Sequence, residues 1–232
     1  MSQEVENPTP SRGLRLAMAA ARYLDSQGRS IPATASNLLW VTLTGKGRPS
    51  PLAAAAPQPL AATNTYSGGC TNAQITQIAQ ARTDAAGYAS SASSVLNTGA
   101  HGPRYTTWFG AYDSGRYNTV QAHFTALTSA LSGQAYNFDC KCKKAYYAYV
   151  YPNQPYNVYL CRVFWQAPAK GTDSKAGTLV HESSHFTVVA GTNDWTYGQS
   201  SCKSLATSDP SKAIDNADTH EYYAENTPTL PN

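Results

Sequence analysis

The sequence is poor in charge and has no long apolar run. Only 13% of its 232 residues are Asp, Glu, Lys or Arg. The two apolar stretches within residues 1–63, near 14–21 and 38–43, are too short to span a bilayer, and neither has the layout of a signal peptide. Positions 1–63 carry six Lys/Arg against three acids, and positions 64–232 carry eleven against eleven. This charge balance gives no indication of a basic nucleic-acid surface.

The sequence also lacks the CxxC pairs that structural zinc sites usually use. Its five cysteines all follow residue 63: Cys70, Cys140, Cys142, Cys161 and Cys202. Disulfides formed in an oxidising compartment are the preferred interpretation, and five reduced thiols in a cytosolic protein are the alternative. Because one residue separates Cys140 from Cys142, each is expected to pair elsewhere, which leaves one cysteine unpaired.

Composition divides the chain near residue 63. Residues 1–63 contain an Ala/Pro run and are interpreted as a leader, a propeptide remnant or a disordered segment. Residues 64–232 are predicted to form one domain. Within it, patterns of spacing and turn residues predict helices over about 71–96, 120–131, 174–188, 198–206 and 210–226, and a hairpin between 145 and 165.

A metal-binding motif lies in the helix predicted over 174–188. Residues 181–185 form an H-E-x-x-H motif, and residues four apart on a helix share one face, so His181 and His185 can reach one zinc ion. Glu182 is offset on the same side, where it can contact a water on the zinc and act as a general base. The alternative is a chance match on an exposed polar turn.

A catalytic zinc ion needs a third protein ligand, and the residues alone leave its identity open. The extended H-E-x-x-H-x-x-G-x-x-H pattern fails, because Val188 and Gly191 replace its glycine and histidine and no Met follows. A downstream glutamate, Glu221 or Glu225, is one candidate. Asp194 is another, because it follows a glycine turn and can fold back onto the metal.

The segment after the motif resembles a known family. Residues 191–198 match the G-T-x-D-x-x-Y-G signature of the aspzincins, the deuterolysin-type metalloendopeptidases. The resemblance is closest to the fungal peptidyl-Lys metalloendopeptidases and covers about residues 65–228. It also includes the segments 106–110, 148–153 and 176–180.

The resemblance implies an α+β, zincin-like metalloprotease domain, mostly helical with a small antiparallel sheet or hairpin. It implies that His181, His185 and Asp194 bind one Zn²⁺ per chain, that Glu182 is the catalytic base, and that Tyr197 stabilises the oxyanion. A tyrosine hydroxyl suits that role, because it remains a proton donor at neutral pH.

The resemblance also implies the disulfide pairs Cys70–Cys140 and Cys142–Cys161. Cys202 is then expected to be a buried free thiol. Disulfides and the resemblance together predict a secreted protein. Its expected partners are protein or peptide substrates, with no nucleic acid and no membrane, and the protein is expected to be a monomer.

Lysine specificity requires negative charge in a substrate pocket, because a buried ammonium group needs carboxylates and hydrogen bonds. Asp218 and Glu221 lie three apart in a predicted helix and match the acidic residues that line the pocket of the Lys-specific members. The alternative is a solvated acidic helix face. His220, between them, is expected to be a packing or surface residue, and His101 and His123 are expected to be structural.

The preferred hypothesis is therefore a secreted zinc endopeptidase that cuts on the amino side of lysine. A deuterolysin-like enzyme of broader specificity is the alternative within the protease class. An inactive zinc-bearing binding module is the alternative outside it.

Overall fold

The computed structural model describes residues 62–232, together with the backbone of two short strands nearer the N-terminus. The chain divides into two compact units, Met1–Ala56 and Pro57–Asn232. In the first unit, β1 (Tyr23–Leu24) and β2 (Ser30–Ile31) pair in antiparallel fashion. The leader predicted over residues 1–63 lies mostly outside the described residues and stays a prediction.

The second unit is mostly helical. Its helices begin largely where the sequence predicts. At the start of α1, the Thr71 hydroxyl accepts a hydrogen bond from the backbone N–H of Gln74, and the Gln74 side chain accepts one from the backbone N–H of Thr71. This reciprocal pair is a capping box. No helix among the described residues is long and apolar enough to cross a membrane. The helices are α1 (Asn72–Asn97), α2 (Pro103–Phe109), α3 (Ser114–Gly133), α4 (Lys175–His185), α5 (Gln199–Ser208), α6 (Pro210–Ala213) and α7 (Ala217–Glu225).

Helix α4 lies at the centre of this unit, in contact with α1, α3 and α7. Helix α1 presents a stripe of buried alanines, which allows its neighbours to approach closely. Helix α3 buries the four residues whose spacing predicted it, and these fill the adjoining core: Val120, Phe124, Leu127 and Leu131. Ten of the eleven residues of α4 are buried, so the site that it carries rests on a rigid support.

The sheet has the strand order β3 (Thr65–Ser67), β4 (Asn137–Asp139), β6 (Asn157–Leu160) and β5 (Ala148–Val150). Strands β5 and β6 form the predicted antiparallel hairpin. The prediction of an antiparallel sheet is wrong for the other pairs, since β3–β4 and β4–β6 are parallel. Parallel strands need long connections, and the segment from α1 to α3 supplies one between β3 and β4.

Two predicted helices end earlier than their sequence patterns indicate. Helix α4 stops at His185, because Phe186 takes an extended conformation and its carbonyl accepts N–H groups from the next turn, including that of Gly191. The helix predicted over 210–226 is broken into α6 and α7, because Asn216 is also extended and pairs with Asn193 as a parallel bridge. Both interruptions shape the cleft described below.

Two disulfides join the sheet to the rest of the unit. Cys70–Cys140 ties the start of α1 to the end of β4, and Cys142–Cys161 ties the following loop to the end of β6. Cys202 is a buried free thiol, as expected. Its burial raises the pKa of the thiol, which keeps it neutral and unreactive.

Candidate metal centre and substrate cleft

A cleft of about 570 Å³ lies over α4, with the hairpin on one side and α7 on the other. All seven residues predicted to act in metal binding, catalysis or substrate binding line this one cleft. They are His181, Glu182, His185, Asp194, Tyr197, Asp218 and Glu221. Residues 145–150 form the opposite wall.

Two imidazoles and one carboxylate converge in the cleft. Nε2 of His181 lies 3.2 Å from Oδ1 of Asp194, and Nε2 of His185 lies 3.4 Å from the same oxygen. In a tetrahedral site with metal–ligand bonds of about 2.0 Å, ligand atoms are about 3.3 Å apart. Both distances to Asp194 match this separation, and the donor atoms of the three side chains all lie within 4.8 Å of one another, so the three could hold a single zinc ion.

The second ring nitrogen of each histidine already has a partner. Nδ1 of His185 lies 2.8 Å from the carbonyl oxygen of Thr192, and Nδ1 of His181 lies 2.8 Å from Oδ1 of Asp218. In both rings this contact places the proton on Nδ1 and leaves Nε2 as the free electron-pair donor. Both histidines are thus held in the tautomer that a metal ligand requires.

Asp194 is positioned by the start of α7. The N–H of Asn193 donates to the carbonyl of Asp215 at 2.8 Å, and the N–H of Ala217 donates back to Asn193 at 3.0 Å. The Asn216 side-chain oxygen accepts the two backbone N–H groups that follow Asp194, at 2.8 and 3.0 Å. Burial acts to raise the pKa of Asp194, but the adjacent His181 and His185 hold it well below its usual range.

Glu182 is 5% exposed and follows the first of the two histidines on α4. Burial raises the pKa of Glu182, although the neighbouring His181 and His185 act in the opposite direction. A buried carboxylate that lines a cleft beside a metal site has the chemistry of a general base.

Tyr197 lines the cleft beside His181. Its ring stacks on that of His181, with centroids 6.3 Å apart and an interplanar angle of 15°. The side chain is 62% exposed, so its hydroxyl is accessible to a molecule in the cleft. Partial burial and the nearby Asp194 carboxylate raise the pKa of Tyr197 to about 12, and the hydroxyl remains a neutral donor.

The acidic residues of α7 do not form a solvated face. Asp218, Glu221 and Glu225 are each 6% exposed, and all nine residues of the helix are buried. Glu221 lies on the Nδ1 side of His181, and Glu225 contacts the start of α4. This placement favours Asp194 over either glutamate as the third ligand.

The comparisons with known proteins identify the family of the chain. The family model for aspzincins, described as lysine-specific metallo-endopeptidase, matches residues 94–225. The chain belongs to the aspzincin family. An extracellular protease of Aeromonas hydrophila is 51% identical over 193 residues, which are 82% of this chain and 56% of that protein.

Two fungal relatives are both named peptidyl-Lys metalloendopeptidase. The protein from Grifola frondosa is 53% identical over 166 residues, covering 71% of this chain and 47% of that protein. The protein from Pleurotus ostreatus is 50% identical over 164 residues, which are 70% of this chain and 97% of that protein. This chain thus spans about half the length of the first curated relatives that it matches.

The solved structure of a zinc peptidase from Grifola frondosa superposes with a TM-score of 0.68 at 52% identity. It covers 70% of this chain and 100% of its own. The predicted α+β fold class and the predicted family are confirmed.

His220 of this aspzincin is a packing residue, as predicted. Its ring lies between Phe109 and Phe124 at centroid distances of 5.3 and 5.5 Å. Nδ1 contacts the Asn216 carbonyl at 2.9 Å and Nε2 contacts His123 at 3.1 Å, so neither nitrogen is free for a metal.

Sequence reasoning missed two supporting residues of the aspzincin site. Thr192 orients His185 through its carbonyl, and Asn216 holds the loop that carries Asp194. The family signature contains Thr192, which was a usable signal. Asn216 resembles an ordinary residue at a helix start, and nothing local connects it with a loop some twenty residues away.

Proposed function

We propose that this aspzincin is a secreted zinc metalloendopeptidase that hydrolyses peptide bonds on the amino side of lysine. The observation that carries the proposal is the convergence of His181, His185 and Asp194 beside the buried Glu182, in a cleft with an acidic wall. The names of the fungal relatives support the lysine preference.

His181, His185 and Asp194 would hold the metal, one ion per chain. A zinc ion bound there supplies a Lewis acid that polarises the scissile carbonyl and acidifies the attacking water. The distances between the donor atoms and the fixed histidine tautomers match that ion.

Two side chains of the protein transfer the proton and stabilise the developing charge. Glu182 accepts the proton of the attacking water and passes it to the leaving amine. Tyr197 donates a hydrogen bond to the oxygen on which negative charge develops in the transition state. The hairpin opposite α4 excludes water from one side of the bond.

Asp218 and Glu221 provide the acidic wall for the lysine side chain. Two carboxylates compensate for the removal of an ammonium group from water better than neutral groups can. The wall lies beside His181, next to the proposed metal site. An enzyme that cuts on the amino side of lysine holds that lysine on the leaving-group side of the bond.

Secretion is supported by the two disulfides and by the extracellular protease among the relatives. A thiol-reducing compartment would not maintain such bonds in a protein of this kind. Extended protein or peptide chains are the substrates that an open cleft accommodates, and the proposed enzyme acts as a monomer.

Cleavage-site mapping on a denatured mixture of proteins tests the proposal. The untreated protein, the Glu182→Gln variant and a chelator-treated sample are compared, with zinc content measured in each. We expect cuts confined to bonds that precede lysine, lost in both controls, with zinc retained by Glu182→Gln. Cuts before many residue types would overturn the lysine preference but not the zinc mechanism, and no cuts at all would favour a binding module.

A further inference from the structure

The loop that carries Asp194 is the least enclosed part of the proposed metal centre. Two of the three proposed ligands, His181 and His185, belong to α4, ten of whose eleven residues are buried. Asp194 and the residues on either side of it are exposed. Because an exposed loop has few packing contacts of its own, the position of the Asp194 carboxylate depends on bonds from another element.

Asn216, directly before α7, supplies such bonds from a buried position. Its side-chain oxygen accepts the N–H of Trp195 at 2.8 Å and the N–H of Thr196 at 3.0 Å. Asn216 is 0% exposed, so water does not compete for this oxygen. These two peptide groups follow Asp194 directly, and fixing them fixes the chain just after the proposed ligand.

The other end of the Asn216 amide meets the free thiol of Cys202. Nδ2 of Asn216 donates to the Cys202 sulfur at 3.6 Å, and Cys202 is also 0% exposed. A reversed amide would direct its own N–H groups at the two backbone donors of the loop and leave those donors without an acceptor. The contacts at the two ends therefore select one orientation of the amide.

The backbone of Asn216 is fixed as well. It pairs with Asn193 as a parallel bridge. Its carbonyl oxygen accepts the Thr219 hydroxyl at 2.7 Å and lies 2.9 Å from Nδ1 of His220, and both of these residues are buried in α7. The Asn216 side chain thus reaches the loop from a rigid support.

Asp215 contacts the same loop from the solvent side. Its Oδ2 accepts Nδ2–H of Asn193 and Nε1–H of Trp195, each at 2.8 Å. Both contacts are exposed, so water can replace either partner and the net contribution of each is small. The buried contacts of Asn216 are therefore the ones that hold the loop in place.

We propose that Asn216 is a positioning residue of the metal centre, which keeps Asp194 within reach of the ion by holding the two peptide groups that follow it, with Cys202 orienting its amide. The inference rests on the metal site of the proposed function. It adds to that site a residue that lies outside the lining of the cleft.

Three substitutions in the full chain test this role. Asn216→Ala removes the buried acceptor, Asn216→Asp keeps an oxygen at the same place, and Asp215→Ala removes the exposed contacts to the same loop. Tyr117→Phe is the matched control for the loss of a buried hydrogen bond, because the Tyr117 hydroxyl donates to the Leu96 carbonyl at 2.7 Å outside the cleft.

Three quantities are measured on each variant. Competition with a chromophoric chelator gives the zinc affinity of the metal-free protein. The absorption spectrum of the Co²⁺-loaded protein reports the number and geometry of the ligands around the ion. The thermal midpoint of the metal-free protein reports whether the variant is folded and how far it is destabilised.

We expect Asn216→Ala to weaken zinc binding about 10- to 100-fold and to shift the Co²⁺ spectrum toward that of Asp194→Ala. Asn216→Asp should lower the thermal midpoint, because it buries an acid, but keep zinc affinity within about threefold, because its oxygen still accepts both N–H groups. Asp215→Ala and Tyr117→Phe should each change zinc affinity less than about threefold and leave the spectrum unchanged. If Asn216→Ala does not fold, Asn216→Ser, which withdraws the acceptor with a smaller cavity, must weaken zinc binding and shift the spectrum instead.

The inference is overturned if folded Asn216→Ala binds zinc as tightly as the unsubstituted protein and keeps its Co²⁺ spectrum. It is also overturned if Asn216→Asp, Asp215→Ala or Tyr117→Phe weakens zinc binding as much as Asn216→Ala does. Failure of the proposed function gives a different result, in which the unsubstituted protein itself binds no zinc, or binds zinc and cuts no peptide.

Discussion

Helices α4 and α7 lie against each other and are almost wholly buried, yet only α4 shows its task in the sequence. The two proposed metal ligands of α4, His181 and His185, are one helical turn apart, and this local geometry is visible as H-E-x-x-H. The acids of α7 make their contacts with α4 and with the loop at 194–198. The pair of proposed histidine ligands is thus encoded within one element, whereas the proposed third ligand and the proposed substrate contacts depend on segments that are distant along the chain.

The strongest test of this contrast asks whether α7 supplies a metal ligand after all. Asp194→Ala should weaken zinc binding on the order of 100- to 1,000-fold, because the ~10–16 kcal/mol of a four-ligand zinc site corresponds to about 2.5–4 kcal/mol per ligand. The measurement is zinc competition on the metal-free protein. Asp84→Ala, which removes a partly buried carboxylate paired with Lys170 outside the cleft, is the control and should bind zinc normally.

Unchanged zinc binding in Asp194→Ala, combined with its loss in Glu221→Gln or Glu225→Gln, would contradict the assignment. The third ligand would then come from α7, and the contrast between the two helices would fail.

A second test separates catalysis from metal binding on the loop between the helices. Tyr197→Phe should lower kcat about 100-fold with little change in KM or zinc affinity, because it removes one donor to the developing oxyanion. Tyr151→Phe, at an exposed tyrosine of the hairpin side, is the control. A raised KM with normal kcat would instead assign Tyr197 to substrate binding.

The smallest expected effect tests how closely α4 and α7 pack against each other. Gly177→Ala places a Cβ against the carboxylates of Glu221 and Glu225 and should lower the free energy of unfolding by about 2 kcal/mol. Gly87→Ala, in α1, meets no atom within 4 Å and should raise it by about 0.5–1 kcal/mol. Denaturant titrations of both variants measure the difference, and equal effects would contradict the tight α4–α7 contact.

The sequence predicts those parts of the fold that depend on neighbours along the chain. The helix start near residue 71, the apolar period of α3 and the hairpin are local signals, and the structure contains all three. The parallel pairing of β3 with β4 was not predictable, because each strand has three residues and their partners lie about seventy residues apart.

The candidate site divides in the same way. The residues alone gave His181, His185 and Glu182, but left the third ligand open between Asp194 and the glutamates of α7. The choice between these candidates depends on the break in the helix at Asn216. Because of this break, α7 is turned so that Asp218 faces His181. No local pattern encodes that break, because it depends on hydrogen bonds to a distant loop.

The disulfide Cys142–Cys161 has a further consequence for an enzyme that cuts before lysine, because such an enzyme is exposed to autolysis at its own lysines. Lys143 and Lys144 lie on the exposed loop that this bond closes. A cut at either residue opens the loop but leaves both pieces joined through the sulfur atoms. The wall of the cleft formed by residues 145–150 therefore stays covalently attached after self-cleavage.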